Sequence, residues 1–127
     1  MYRQLEHSAD LRFELENDSF EGVFQDFADL LFNLCQPTLA DEIFVKTYEV
    51  TAESFDDTVF DVVNDWIYTI YGQGFFPFRC YLNSGILRCT FKRISVMNGI
   101  EIKALTYHDL RFKEEAGKIK AKVVFDV

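Results

Sequence analysis

Two stretches of helical hydrophobic period sit among eight stretches of period two, and that alternation constrains the fold more than any other feature of the sequence. Phe20, Val23, Phe24, Phe27, Leu30, Leu31 and Leu34 recur at i, i+3, i+4 and i+7, which lines one face of a helix. Asn17, Asp18 and Ser19 offer side-chain oxygens to its unpaired first-turn amides, and Pro37 is expected to end it. A second helix is predicted from Ser54, with Asp57 as a capping-box partner. It buries Val59, Val62, Val63, Trp66, Ile67 and Ile70 and stops at Gly72 and Gly74. Strands are predicted at 2–6, 11–15, 43–51, 78–82, 86–94, 100–107, 110–113 and 118–125, many rich in Phe, Tyr, Ile and Val. Strands, a helix, a strand, a helix and then a run of strands make an α+β fold, with two helices packed on antiparallel or mixed sheets. No Gly-rich phosphate loop accompanies them.

A chain of 127 residues fits one domain, 1–127, and can bury a core without disulfide or metal staples. The hydrophobic share of 49%, the 14 Phe and the scarcity of Gly (6) and Pro (2) all point to compact packing. Thirteen basic against 21 acidic residues give a net charge of -8, which repels phosphate on average and argues against stable nucleic-acid binding. The N-terminus lacks the order of a signal peptide, and no apolar run nears the roughly 18 residues that span a bilayer, so the expectation is a cytoplasmic protein without a membrane. Cys35, Cys80 and Cys89 are spaced too widely for zinc knuckles. A two-residue turn at Ser84-Gly85 would set Cys80 opposite Cys89, where thiols are expected in a reducing compartment.

Chemistry-bearing residues concentrate in a few places. In "LEHSADLRFEL", His7, Ser8 and Asp10 interrupt a strand-like alternation, and parity sends Asp10, Arg12 and Glu14 outward. A strand-end Asp ordinarily serves a turn, and no nucleophile elbow accompanies His7. In "KALTYHDL", Tyr107 and His108 form a polar corner, while Lys103 shares a face with Glu101 and Leu105 and is read as solvent-facing. In the last strand Lys118, Lys120, Lys122 and Asp126 point away from Ile119, Ala121, Val123 and Phe125. The lysines read as guards of an edge strand, with a phosphate-bearing partner left open. The aromatic run 75–78 reads as core plus turn, with an exposed docking patch as the alternative.

"LEHSADL" near the start, "IEIKALTYHDL" and the terminal "VVFDV", in that order, resemble the archease family, and "VVNDWIY" is similar to its second-helix segment. Ser8 stands where the family has Thr, which keeps the hydroxyl, and the family's polar insertion before the Lys-Ala strand is shortened here to 95–99. The resemblance implies a protein that is not itself a ligase or other enzyme. It implies one that promotes guanylylation and turnover of an RtcB-type RNA ligase in tRNA splicing and RNA repair. It further implies a divalent cation held by Asp10, Asp126 and the α-carboxylate of Val127. His7, Ser8, Lys103, Tyr107 and His108 are then candidates for supporting that site or touching the partner. Oxygen donors without thiolate or a histidine cluster suit calcium or magnesium. Two rivals remain. One is a chaperone-like or general protein-binding module using the aromatics at 75–78. The other is a hydrolase using His7, Asp10 and His108 with a metal-activated water.

Overall fold

The computed structural model describes residues 1–5 and 10–127. The chain forms β1 (Tyr2–Leu5), β2 (Leu11–Asn17), α1 (Phe20–Cys35), β3 (Pro37–Glu49), α2 (Phe55–Tyr68), β4 (Phe75–Asn83), β5 (Ile86–Met97), β6 (Ala104–Leu105), β7 (Lys113–Glu115) and β8 (Lys118–Asp126). Two antiparallel sheets result, one ordered β1-β2-β8-β6 with β7 also on β8, the other β3-β5-β4. This is the α+β architecture that the two periods predict.

Each helix touches both sheets and joins them into one core. From α1, Phe27 meets Phe125 of β8 edge-on and Phe32 meets Phe76 of β4. From α2, Asp65 bonds Lys46 and Tyr48 of β3, while Asn64 exchanges two hydrogen bonds with the Leu105 backbone of β6. Phe24, Phe55 and Trp66 interlock at the centre, each in an edge-on contact. The free edge of β4 is covered by α1. Gln25 accepts from Cys80 N and donates to Phe78 O, and Glu21 accepts from Leu82 N at 2.8 Å. A strand edge whose amides are already bonded by side chains offers less to a foreign strand.

Helix ends follow local chemistry, with two corrections. Ser19 caps α1, its Oγ accepting from Gly22 N at 3.0 Å. Gln36, in the left-handed region at φ 46°, closes the other end, and Pro37, expected to end the helix, opens β3 directly after it. The expected capping box at α2 does not form. Ser54 makes no side-chain cap bond, its Oγ lying 2.5 Å from Thr51 Oγ1 instead. The helix then runs into a turn of π-helix, Thr69–Gln73, which carries Gly72 within it and ends at Gly74 in the left-handed region.

Strand bounds differ where the expected period was local. β3 begins six residues before 43 because register breaks at Leu39 and Ile43 hide its pairing with β5. Of the expected strand 100–107, only Ala104–Leu105 pairs; Ile102 and Leu105 are both buried, which simple alternation forbids. The segment 110–113 is replaced by β7, a short hairpin partner of β8 across Ala116-Gly117. The largest correction concerns the lysine stripe. β8 is not an edge strand, since β2 lies on one side and β6 and β7 lie on the other. Two of its three lysines face acids instead: Lys118 bonds Asp18, and Lys120 lies 3.4 Å from Glu16 and 3.7 Å from Glu115.

The hairpin prediction holds. Ser84 and Gly85 both take positive φ, the signature of a two-residue turn matched to strand twist, and set Cys80 opposite Cys89 with sulfurs 3.9 Å apart. All three cysteines are buried free thiols.

Candidate functional site

The end of the β2-β8-β6 sheet gathers the residues singled out from sequence. The register between β2 and β8 ends at Leu11 opposite Phe125, with Asp10 in the bend just before β2 and Asp126 the last residue of β8, and Asp126 pairs in turn with Ala104. Three segments far apart in sequence therefore bring Asp10, Asp126 and the backbone after Lys103 to one level. A hydrogen bond from Lys103 N to Asp126 O, 2.9 Å, fixes that level. Val127 follows, about half exposed.

Two residues not singled out from sequence complete the cluster. Arg12 Nε lies 3.6 Å from Asp10 Oδ1, and Arg12 Nη1 lies 3.8 Å from Asp109 Oδ2. His108 Nε2 lies 3.4 Å from the same Asp109 oxygen. Asp109 reaches this place because it adopts φ 57°, a left-handed conformation that a short polar side chain tolerates better than most. Parity alone would have put Arg12 on the same face as Asp10. The Asp109 contact requires the loop's tertiary path.

Of the other candidates, Lys103 is exposed, and no ion pair of its ammonium occurs among the described residues. Tyr107 stacks on Phe60, ring centroids 3.7 Å apart, and its hydroxyl donates to Asp57 at 3.4 Å. Desolvation, then the carboxylates of Asp57 and Asp61, raise the pKa of that phenol. His7 and Ser8 lie outside the described residues. Of the hydrolase arrangement, the described residues hold Asp10 and an exposed His108.

Among the described residues no group of three His, Cys, Asp or Glu side chains is poised to hold a metal. The donor set implied by the resemblance is different in kind: two carboxylates and a terminal carboxylate. All three are hard oxygens, and the two aspartates each adjoin one member of the Leu11–Phe125 pair. That chemistry fits calcium or magnesium, with Arg12 the counter-charge already beside Asp10. No helix of the described residues is long and apolar enough to cross a membrane.

The comparisons decide the family. A model of the archease protein family matches residues 2–127. The chain belongs to the archease family. It is 37% identical over 126 residues to the protein archease of Thermotoga maritima, covering 99% of both chains. A crystal structure described as an archease and possible chaperone, also from Thermotoga maritima, superposes with TM-score 0.88 at 36% identity and covers 100% of this chain and 98% of the other. The solution structure of a Methanobacterium thermoautotrophicum protein, 20% identical, shares the fold with TM-score 0.69 over 99% and 98% of the two chains.

Proposed function

We propose that this archease-family protein is an accessory factor that promotes guanylylation and turnover of an RtcB-type RNA ligase in tRNA splicing and RNA repair. It acts through a divalent cation, calcium or magnesium, held by Asp10, Asp126 and the α-carboxylate of Val127. The observation that supports this reading is the pairing of Leu11 with Phe125, the neighbours of Asp10 and Asp126, at the end of the sheet where Ala104 pairs with Asp126. A cation bound there supplies a hard positive centre with coordination positions left for water or for a partner's oxygen. Asp10 and Asp126 would hold it, Arg12 would limit their mutual repulsion when it is absent, and the exposed Lys103 and His108 would face the docked partner. An acidic chain suits docking on a basic, RNA-binding partner in the cytoplasm.

The chaperone-like reading loses the surface it was given. Phe76 and Pro77 are buried, and Phe75 and Phe78 are half-buried beneath Arg93 and Lys92, so the segment 75–78 presents no continuous exposed apolar patch. A guanylylation assay on an RtcB-type ligase tests the proposal. Wild type should stimulate the ligase, Asp10→Asn with Asp126→Asn should lose at least tenfold of the stimulation, and a C-terminal extension past Val127 should lose part of it, recovered at high calcium. Full stimulation by the double variant would overturn the proposal.

A further inference from the structure

A cleft of about 650 Å³ lies on the outer face of the sheet where β2, β8 and β7 run side by side; it borders the candidate site through Asp109 but is lined by neither Asp10 nor Asp126. Glu14, Arg111, Lys113, Glu115, Lys120 and Lys122 are among the residues that line it. Its three acids are already engaged: Glu14 pairs with Arg3 at 3.1 Å, Glu115 with Lys120 at 3.7 Å, and Asp109, also in the lining, lies 3.8 Å from Arg12. Arg111, Lys113 and Lys122 are not; among the described residues none of the three makes an ion pair. The ladder makes the imbalance sharper. Lys113 stands directly opposite Lys120 across β7 and β8, and while Glu16 and Glu115 offset Lys120, Lys113 makes no ion pair among the described residues.

We infer that this cleft binds the phosphate groups of a multiply charged phosphate ligand. Three uncommitted cations around one concavity exceed what a single carboxylate could neutralise, whereas an oligophosphate matches them in charge and accepts several charge-assisted hydrogen bonds at once. The volume is that of a small-molecule site. The attraction is local: the chain as a whole carries -8 and repels anions everywhere else on average. The same groups could meet the phosphates of a small oligophosphate or those of a nucleic-acid backbone, and the shared chemistry is the phosphate oxygen. The inference does not depend on the ligase reading, because its readouts need no ligase.

Binding of inorganic triphosphate and of a labelled single-stranded oligonucleotide, each measured by titration against the full chain with sodium sulfate as an ionic-strength control, tests it. Triphosphate should bind with an affinity that falls as salt rises, and Lys113→Glu with Lys122→Glu should weaken it at least tenfold. Lys113→Arg with Lys122→Arg should retain it. Thermal unfolding of both double variants without ligand checks that the fold persists. Tighter binding of triphosphate than of the oligonucleotide assigns the cleft to a small ligand, and the reverse order assigns it to a backbone. If neither probe binds more tightly than sulfate, or if the charge-reversed variant, folded, binds both as wild type does, the inference fails.

Discussion

Two clusters of charge flank the same helical layer, and they differ in the way that separates support from function. Behind α2, Lys46 Nζ donates to Asp65 at 3.0 Å and to Thr69 Oγ1 at 2.8 Å, Tyr48 donates to the same Asp65 oxygen at 2.5 Å, and Thr69 is fully buried. Every polar group there has a short, directed partner. At the sheet end, Asp10, Arg12, His108 and Asp109 stand 3.4–3.8 Å apart in ion pairs, on side chains from a quarter to three-fifths exposed. The first cluster is closed by its own members and ties β3 to α2. The second holds like and unlike charges at ion-pair range near the surface, where a ligand from solvent can reach them.

If that contrast is right, the two clusters respond oppositely to mutation. Asp65→Ala should destabilise the fold by about 2–3 kcal/mol, since it leaves Lys46 and Tyr48 half-buried without their acceptor, the figure being kept low because both ion-pair partners reach solvent. Arg12→Gln, at the other cluster, should cost no more than about 1 kcal/mol. Urea unfolding of both variants reads the difference, and equal losses would break the comparison.

Alkaline pH should reach the closed cluster next. Burial, then the hydrogen bond to Asp65, raises the Tyr48 pKa, and burial also raises that of Tyr71. The unfolded chain releases these protons from about pH 10, while the folded chain keeps them, so the folded state binds more protons and stability falls as pH rises above that point. Below pH 10 the contribution is complete. Urea midpoints measured from pH 8 upward should be level and then decline, and Tyr48→Phe should soften the decline.

The smallest expected stability change is at Lys103. Exposed, and without an ion pair among the described residues, it should lose no more than about 0.5 kcal/mol as Lys103→Ala, while ligase stimulation drops. Thermal unfolding beside the guanylylation assay separates the two effects. Normal stimulation would make Lys103 one more solvated charge.

Much of this molecule was legible from its periods, and what was not has a common cause. The helical faces, the cap at Ser19 and the turn at Ser84-Gly85 are decided by residues within a few positions of one another. Strand order is not. Lys118, Lys120 and Lys122 alternate identically whether β8 is central or at an edge, because alternation reports the faces of a sheet and says nothing of its neighbours. At the candidate site, the aspartates and Lys103 were visible in short motifs. The Arg12–Asp109 contact joins opposite ends of the chain through a left-handed residue, and no local pattern encodes it.

The central claim is that the open cluster at the sheet end, and not the closed one behind α2, receives the cation. Calorimetric titration of calcium into wild type, Asp10→Asn and Asp65→Asn tests it most directly. The account predicts a single site in wild type, at least tenfold weaker binding in Asp10→Asn, and unchanged affinity in Asp65→Asn. Equal calcium affinity in wild type and Asp10→Asn would contradict it.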